Sequence, residues 1–481
     1  MNLDLTLLEV LVVGLGLAVL LIDLWMPAKH RRFLGYGVAA ALGGILLLSF
    51  GLDARWGQGA FGNMYLLDPL ALFFKRFFLM AGILVILLIV EHSDRIPVGL
   101  SEYYALTLFA LAGMMFAASA NDLIMLFVSL ELITVTFYIL ASFERSNSKS
   151  LEAGVKYLLL GALSTGFTVF GIALVFGSSG ATQFDELARR VPELLDAPLL
   201  LVGFLLILSG LGFKIAAAPF QIWAPDVYEG SPAPTTAFLA VGSKAAGFVL
   251  IIRLFIGAAS ELALSWENLW MSLAGLTILV GNLCALPQRN LKRLLGYSSI
   301  ANAGYLLLGI AAMSSAGSAA VLYYLTGYLF TVIAAMSIIC LVLRNLDSED
   351  ISGVAGLHQR APFVAAVLTL SMVSLAGIPP LAGFFGKFML LKALLEQAGT
   401  FSAYYVLLLV AVCGVVMSIY YYFGVIRTIY WGQASEEAAE ISISPAVGIV
   451  LGVCALGMLY LGVFPNGLVE AANAAVAGLF L

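Results

Sequence analysis

The chain has 481 residues, of which 62% are hydrophobic and only 11% charged, against about 25% charged in a typical soluble domain. That composition excludes a soluble globular protein, and the net charge of −5, scattered over short loops with no polybasic run, offers nothing to nucleic acid. Cys284, Cys340, Cys413 and Cys454 stand alone, with no CxxC pair for a cluster or zinc ion.

Apolar runs of about 20 residues, each sufficient to cross a ~30 Å hydrocarbon core, recur along the whole chain and predict an all-α polytopic membrane protein. The first span, 5–26, lacks a basic start and an A-x-A-like cleavage site, so it reads as a helix rather than a removed signal. With 33–51 and 66–91 it forms an N-terminal three-helix segment, residues 1–100. Spans 101–119, 122–143, 151–177, 198–223 and 235–258 follow, then 266–286, 292–313, 317–343, 362–396 and 402–431. A fourteenth span, 445–464, leads to a short apolar tail, 466–481, expected at the interface or against the bundle. No loop is long enough for a nucleotide-binding domain, and no GxGxxG follows a strand. His30, His92 and His358 fall in predicted loops, which leaves no facing pair to ligate a haem.

Lys29, Arg31, Arg32, Arg95, Arg145, Lys149, Arg289, Lys292, Arg293, Arg344 and Arg360 fall on one side; Arg55, Arg189 and Arg190 fall on the other. The bias places the first group in the cytoplasm and both termini outside. The seventh span is interrupted around Pro219, Pro225, Pro232 and Pro234, and the twelfth at Ile378-Pro379-Pro380. Proline removes a backbone donor and clashes with the preceding turn, so both helices must kink or split. Matching interruptions point to inverted repeats around a midplane ion site. Spans 4–8 (101–258) and 9–13 (266–431) would each be a five-helix unit, the odd number forcing opposite orientations.

Four ionisable side chains sit near the middle of otherwise apolar helices: Glu131, Lys214, Lys244 and Lys387. A charge at the bilayer centre costs about 3 kcal/mol on insertion scales, and burial favours the neutral form of either type. The pattern predicts a proton pathway. Glu131, with no other charge within a turn, needs a partner, and Lys214 is the economical one. Lys244 lies among small residues, Val241-Gly242-Ser243-Lys244-Ala245-Ala246-Gly247, as a central station or, in the bland alternative, packed under a ring of carbonyls, and Lys387 opens the second half of a broken helix as an outward gate. A static ion pair between helices is the bland alternative for Glu131 and Lys214. Glu9, Asp23, Asp68, Lys75 and Arg76 are expected mainly as interfacial anchors or partner contacts, Lys156, Arg253 and Lys392 as snorkelling side chains. Asp226 and Glu229 are expected to organise the loop after the seventh span. No nucleophile–base pair suggests a hydrolase.

The stretch from Phe213-Lys214 through Ala218-Pro219-Phe220-Gln221-Ile222-Trp223-Ala224-Pro225-Asp226-Val227-Tyr228-Glu229-Gly230-Ser231-Pro232-Ala233-Pro234 resembles the seventh-helix signature of the antiporter-like subunits of respiratory complex I. Asn290-Leu291-Lys292-Arg293-Leu294-Leu295-Gly296-Tyr297-Ser298-Ser299-Ile300 and Ser374-Leu375-Ala376-Gly377-Ile378-Pro379 are similar to two further motifs. Within the family, the Asp226–Gly230 wording, lysine at the twelfth helix and an end after fourteen spans resemble its N branch more than M. The lack of a long C-terminal lateral helix sets it apart from L. The resemblance implies that Glu131, Lys214, Lys244 and Lys387 are the fifth-helix glutamate and the seventh-helix, central and exit lysines of a proton relay. It also implies a bacterial inner-membrane location, other membrane-arm subunits as partners, and NADH, FMN, iron–sulfur clusters and quinone in those partners rather than here. Gln221 and Asn302 stand where many relatives have histidine, so amide-bridged water would replace imidazole at both points. Two rivals are an Mrp-type cation/proton antiporter subunit, told apart by its genomic neighbours, and a structural spacer whose charges only hold helices together.

Overall fold

The structure, a computed structural model, describes residues 3–27, 30–54, 57, 59–96, 98–342, 349–399, 401–433 and 441–480. Lys29, Arg55 and Arg344 of the charge-bias argument lie outside the described residues. In lipid every backbone polar group must be satisfied within the chain, so each apolar run becomes a helix. These are α1 (Leu7–Asp23), α2 (Arg31–Ser49), α3 (Pro69–His92), α4 (Leu100–Ala118), α5 (Leu123–Ala141), α6 (Ser148–Ser179), α7 (Pro198–Ile215) and α8 (Trp223–Gly230). They continue as α9 (Ala233–Ala258), then α10 (Glu267–Ala285), α11 (Leu291–Ala311), α12 (Ser315–Val342), α13 (Pro362–Ala376), α14 (Ala382–Gln397), α15 (Ala403–Trp431), α16 (Pro445–Val463) and α17 (Asn466–Val476). Among the described residues thirteen helices are long and apolar enough to cross. The split pair α13/α14 adds one to those thirteen, giving the expected fourteen crossings.

Helix starts follow local chemistry. Asp68, Asp122, Asn147, Asn290 and Ser444 accept from backbone N–H groups at the first turns of α3, α5, α6, α11 and α16. Proline stands in the first turn of α3, α7, α13 and α16, where its missing N–H costs nothing. Small elements between the spans escaped the sequence reading, among them a hairpin pairing Gly59–Ala60 with Tyr65–Leu66 and short helices at Phe184–Arg190, Ser260–Ser265 and Leu357–Arg360.

The neighbours repeat. α4 packs on α5, α5 on α6, α6 on α7, and α9 closes on both α7 and α4. In the second unit α10 packs on α11, α11 on α12, α12 on α13 and α14, and α15 closes on that pair and on α10. Between the units α8 meets α11 and α9 meets α12. α9 is wholly enclosed, α11 and α12 nearly so, while α1, α6 and α15 leave most of their surface uncovered. The tail packs on the bundle as expected, α17 lying against α3 and α12. α9 is interrupted by π-helical turns at Leu239–Ser243 and Ile252–Ala258, and Lys244 is the first residue after the former; such turns recur at functional sites.

Candidate functional site

Both breaks put a lysine against loosened backbone. α7 ends as Ala216 turns left-handed (φ 57°), with Ala217 N–H returning to the Gly212 carbonyl and Trp223 Nε1 donating to the Phe213 carbonyl at 2.9 Å. Lys214 therefore occupies the last turn, where the helix dipole favours a cation. α13 ends at Gly377 (φ 81°), and Lys387 Nζ donates to the freed carbonyls of Leu375 (2.7 Å) and Ala376 (3.5 Å) while lying 4.7 Å from the Tyr305 ring.

Lys214 Nζ donates to the Thr134 hydroxyl, one turn along α5 from Glu131, and Glu131 Oε1 accepts from Thr165 Oγ1 of α6 at 2.7 Å. The expected direct Glu131–Lys214 ion pair is not among those formed by the described residues. Glu131 turns toward α6, and threonine hydroxyls hold each charge separately, although Glu131 still acts electrostatically on Lys214. Beyond Glu131, the Tyr138 and Tyr157 rings meet edge to face at 5.0 Å, and their hydroxyls, like Ser243 Oγ beside Lys244, are buried without a hydrogen-bond partner. Such atoms are where bound water is expected.

Lys244, 2% exposed, donates to Ser299 O (2.7 Å) and Ser299 Oγ (2.5 Å) on α11, and Tyr228 OH lies 3.2 Å from the same Oγ. Ser298, the preceding residue on α11, anchors a separate cluster. Its Oγ meets Tyr422 OH at 2.5 Å, its carbonyl accepts from Asn302 Nδ2 at 3.0 Å, and Asn302 Oδ1 accepts from Tyr324 OH at 2.6 Å. Asn302 is thus the hub of that cluster, whereas Gln221 keeps a buried Oε1 without a partner. Lys214, Lys244 and Lys387 are all at least 94% buried, and none forms an ion pair among the described residues.

The hydroxyl carriers Thr134, Thr165, Ser298, Ser299, Tyr324 and Tyr422 were missed in the sequence. Ser298, Ser299 and Asn302 share one face of an apolar helix at three-to-four spacing, which was the available signal; the threonines offered none.

Several other charges overturn their expectation. Glu9 and Lys75 form a fully buried ion pair at 2.9 Å, with Tyr65 OH donating to Glu9 Oε1 at 3.0 Å. Arg253 does not snorkel: it grips Asp68 through two bonds of 2.7 and 2.9 Å and donates to the Ala118 carbonyl at 2.6 Å. Both pairs are internal because helix packing covers these positions, and a covered charge must be partnered. Asp226 and Glu229 lie not in a loop but on α8, where Arg293 Nη1 binds them at 2.7 and 3.0 Å and Lys156 reaches Asp226 at 2.7 Å.

A family model described as "NADH:quinone oxidoreductase/Mrp antiporter, TM" matches residues 120–418. NADH-quinone oxidoreductase subunit N of Moorella thermoacetica is 42% identical over 479 residues, covering 99% of this chain and 98% of the relative. A chain of respiratory complex I from Thermus thermophilus superposes with a TM-score of 0.78 at 31% identity, covering 97% of this chain and 99% of that one. A chain of the Mrp complex from a Dietzia species gives 0.84 at 25% identity, covering 98% of this chain and 52% of that one. Full-length identity at this level, on a fourteen-span fold with breaks at its seventh and twelfth helices, means that the chain belongs to the subunit N family of NADH-quinone oxidoreductases.

Proposed function

We propose that the chain is a proton-translocating membrane subunit of a bacterial NADH:quinone oxidoreductase. Electron transfer from NADH through FMN and iron–sulfur clusters to quinone takes place in partner subunits. A conformational or electrostatic change reaching this chain shifts Glu131 relative to Lys214, alters the protonation of Lys244, and releases a proton by way of Lys387. The two five-helix units, 101–258 and 266–431, form its halves, and their matching order of neighbours supports that division.

One observation carries the reading. Three buried lysines are each held by neutral oxygens alone among the described residues, a hydroxyl for one, a hydroxyl and a carbonyl for the second, carbonyls for the third. Charges that merely glued helices would sit in ion pairs, as Glu9–Lys75 and Asp68–Arg253 do. A proton leaving Lys244 has no counter-ion to strand. The basic residues at one end of the bundle support a cytoplasmic membrane orientation with both termini outside.

The Mrp superposition supports a second reading, cation/proton exchange without electron input. Vesicles carrying the intact complex separate the two. NADH oxidation should acidify the lumen independently of Na⁺, and Lys214→Ala should sharply reduce that acidification. Proton movement that exchanges for Na⁺ without NADH, or full pumping by Lys214→Ala, would overturn the reading.

A further inference from the structure

α2, α3, α12 and α17 enclose a groove unrelated to the lysine axis. It has a volume of about 520 Å³ and is walled by Leu46, Phe73, Phe77, Leu329, Leu468 and Ala471, with Thr326 and Arg76 as its polar lining residues. That is within the size range of specific small-molecule sites. We propose that this groove binds one anionic phospholipid, its phosphate on Arg76 and an acyl chain along the apolar wall.

Arg76 is presented for such a group. Its guanidinium lies 4.5 Å from the Phe50 ring, Nη2 donates to the Ser49 carbonyl at 2.8 Å, and Nε is buried without a hydrogen-bond partner. No ion pair of Arg76 is formed among the described residues. A guanidinium carries five donors in a planar fork that matches phosphate oxygens two at a time, and one of those donors is used here. The charge and the unused donors ask for an anion.

Depth agrees. Arg76 follows Pro69, the first residue of α3, by seven residues, about 10 Å along the axis, and its side chain leans back toward that end to meet Ser49, the last residue of α2. α3 has 24 residues, or about 36 Å at 1.5 Å per residue, longer than the ~30 Å hydrocarbon core. The guanidinium is therefore directed toward the end of α3 nearer the headgroups, as a snorkelling side chain is. The volume also favours a lipid chain over a protein segment: a helix 10–12 Å across would fit for roughly one turn.

The test uses the intact complex in phosphatidylcholine vesicles doped with either a photoreactive phosphatidylglycerol or a photoreactive phosphatidylcholine, with labelled peptides mapped by mass spectrometry. The phosphatidylglycerol probe should label the peptides around Phe73–Phe77 and Leu468–Ala475. Arg76→Gln should lower that labelling about tenfold or more, as expected for losing a hydrogen-bonded charge. Ala471→Trp fills the groove while Arg76 is retained and should lower it as well, which keeps the test open if Arg76→Gln fails to assemble. Equal labelling by the two probes, or labelling unchanged in Ala471→Trp, would overturn the proposal. So would cross-links placing a neighbouring subunit over Phe73 and Ala471.

Discussion

Lys244→Met tests the axis at its centre. Methionine nearly conserves the volume, so the packing around the enclosed α9 is retained, but the donors to Ser299 O and Oγ and the protonatable nitrogen are lost. The neighbouring hydroxyls and the Asn302 amide do not take up protons near neutral pH. A proton crossing there must then exist as an unhoused charge, at about 3 kcal/mol on insertion scales. At 1.36 kcal/mol per tenfold, flux through this subunit falls by roughly a hundredfold. Lys244→Arg sharpens the test: arginine can still bond Ser299 but does not release its proton, so it should fail nearly as badly. The assay is NADH-driven dye quenching in vesicles of intact complex, with quinone turnover and a native-gel assembly check. Loss of turnover and pumping together, with normal assembly, places Lys244 in a tightly coupled path. Wild-type proton yield from Lys244→Arg, or unchanged turnover and yield from Lys244→Met, would make Lys244 a structural cation and refute the relay.

Thr134→Val removes the hydroxyl that accepts from Lys214; losing a bond to a charged group is worth about 1.5–3 kcal/mol, so proton yield per NADH should fall about tenfold while assembly is normal. Asp68→Asn breaks a bidentate pair whose side chains are 0% and 3% exposed. The expected loss is about 3–5 kcal/mol, read as faster thermal inactivation of the complex, and a Asp68→Leu/Arg253→Met double variant should recover much of it. Burial alone would raise the Glu144 carboxyl, but the hydrogen bond and charge of His92, with Asn147 and Lys292, hold it below the ordinary range. A depressed carboxylate stabilises the folded state above its unfolded value of about 4.3 and loses that contribution as pH falls through the folded value. Thermal melts of Glu144→Gln should therefore show a flatter acid limb below about pH 4.3 than wild type; parallel limbs would exclude this pair from the acid response.

The spans, the two breaks and the buried charges were legible in the sequence because each is a local property. A run of 20 apolar residues has to cross, a proline has to interrupt, and a lysine in such a run is conspicuous wherever its neighbours lie. Even the resemblance that named the relay residues rested on contiguous motifs. What the sequence could not decide was which groups meet. Lys214 finds Thr134 across 80 positions, Lys244 finds Ser299 across 55, and Arg253 finds Asp68 across 185. Charge complementarity favoured Glu131 with Lys214, and nearness to a helix end sent Arg253 to the interface. Helix packing instead enclosed Arg253 and Lys75 beside carboxylates and left Lys214, Lys244 and Lys387 facing hydroxyls and carbonyls. A buried charge takes the partner that helix crossings bring within bonding distance, and the tertiary structure alone sets those crossings.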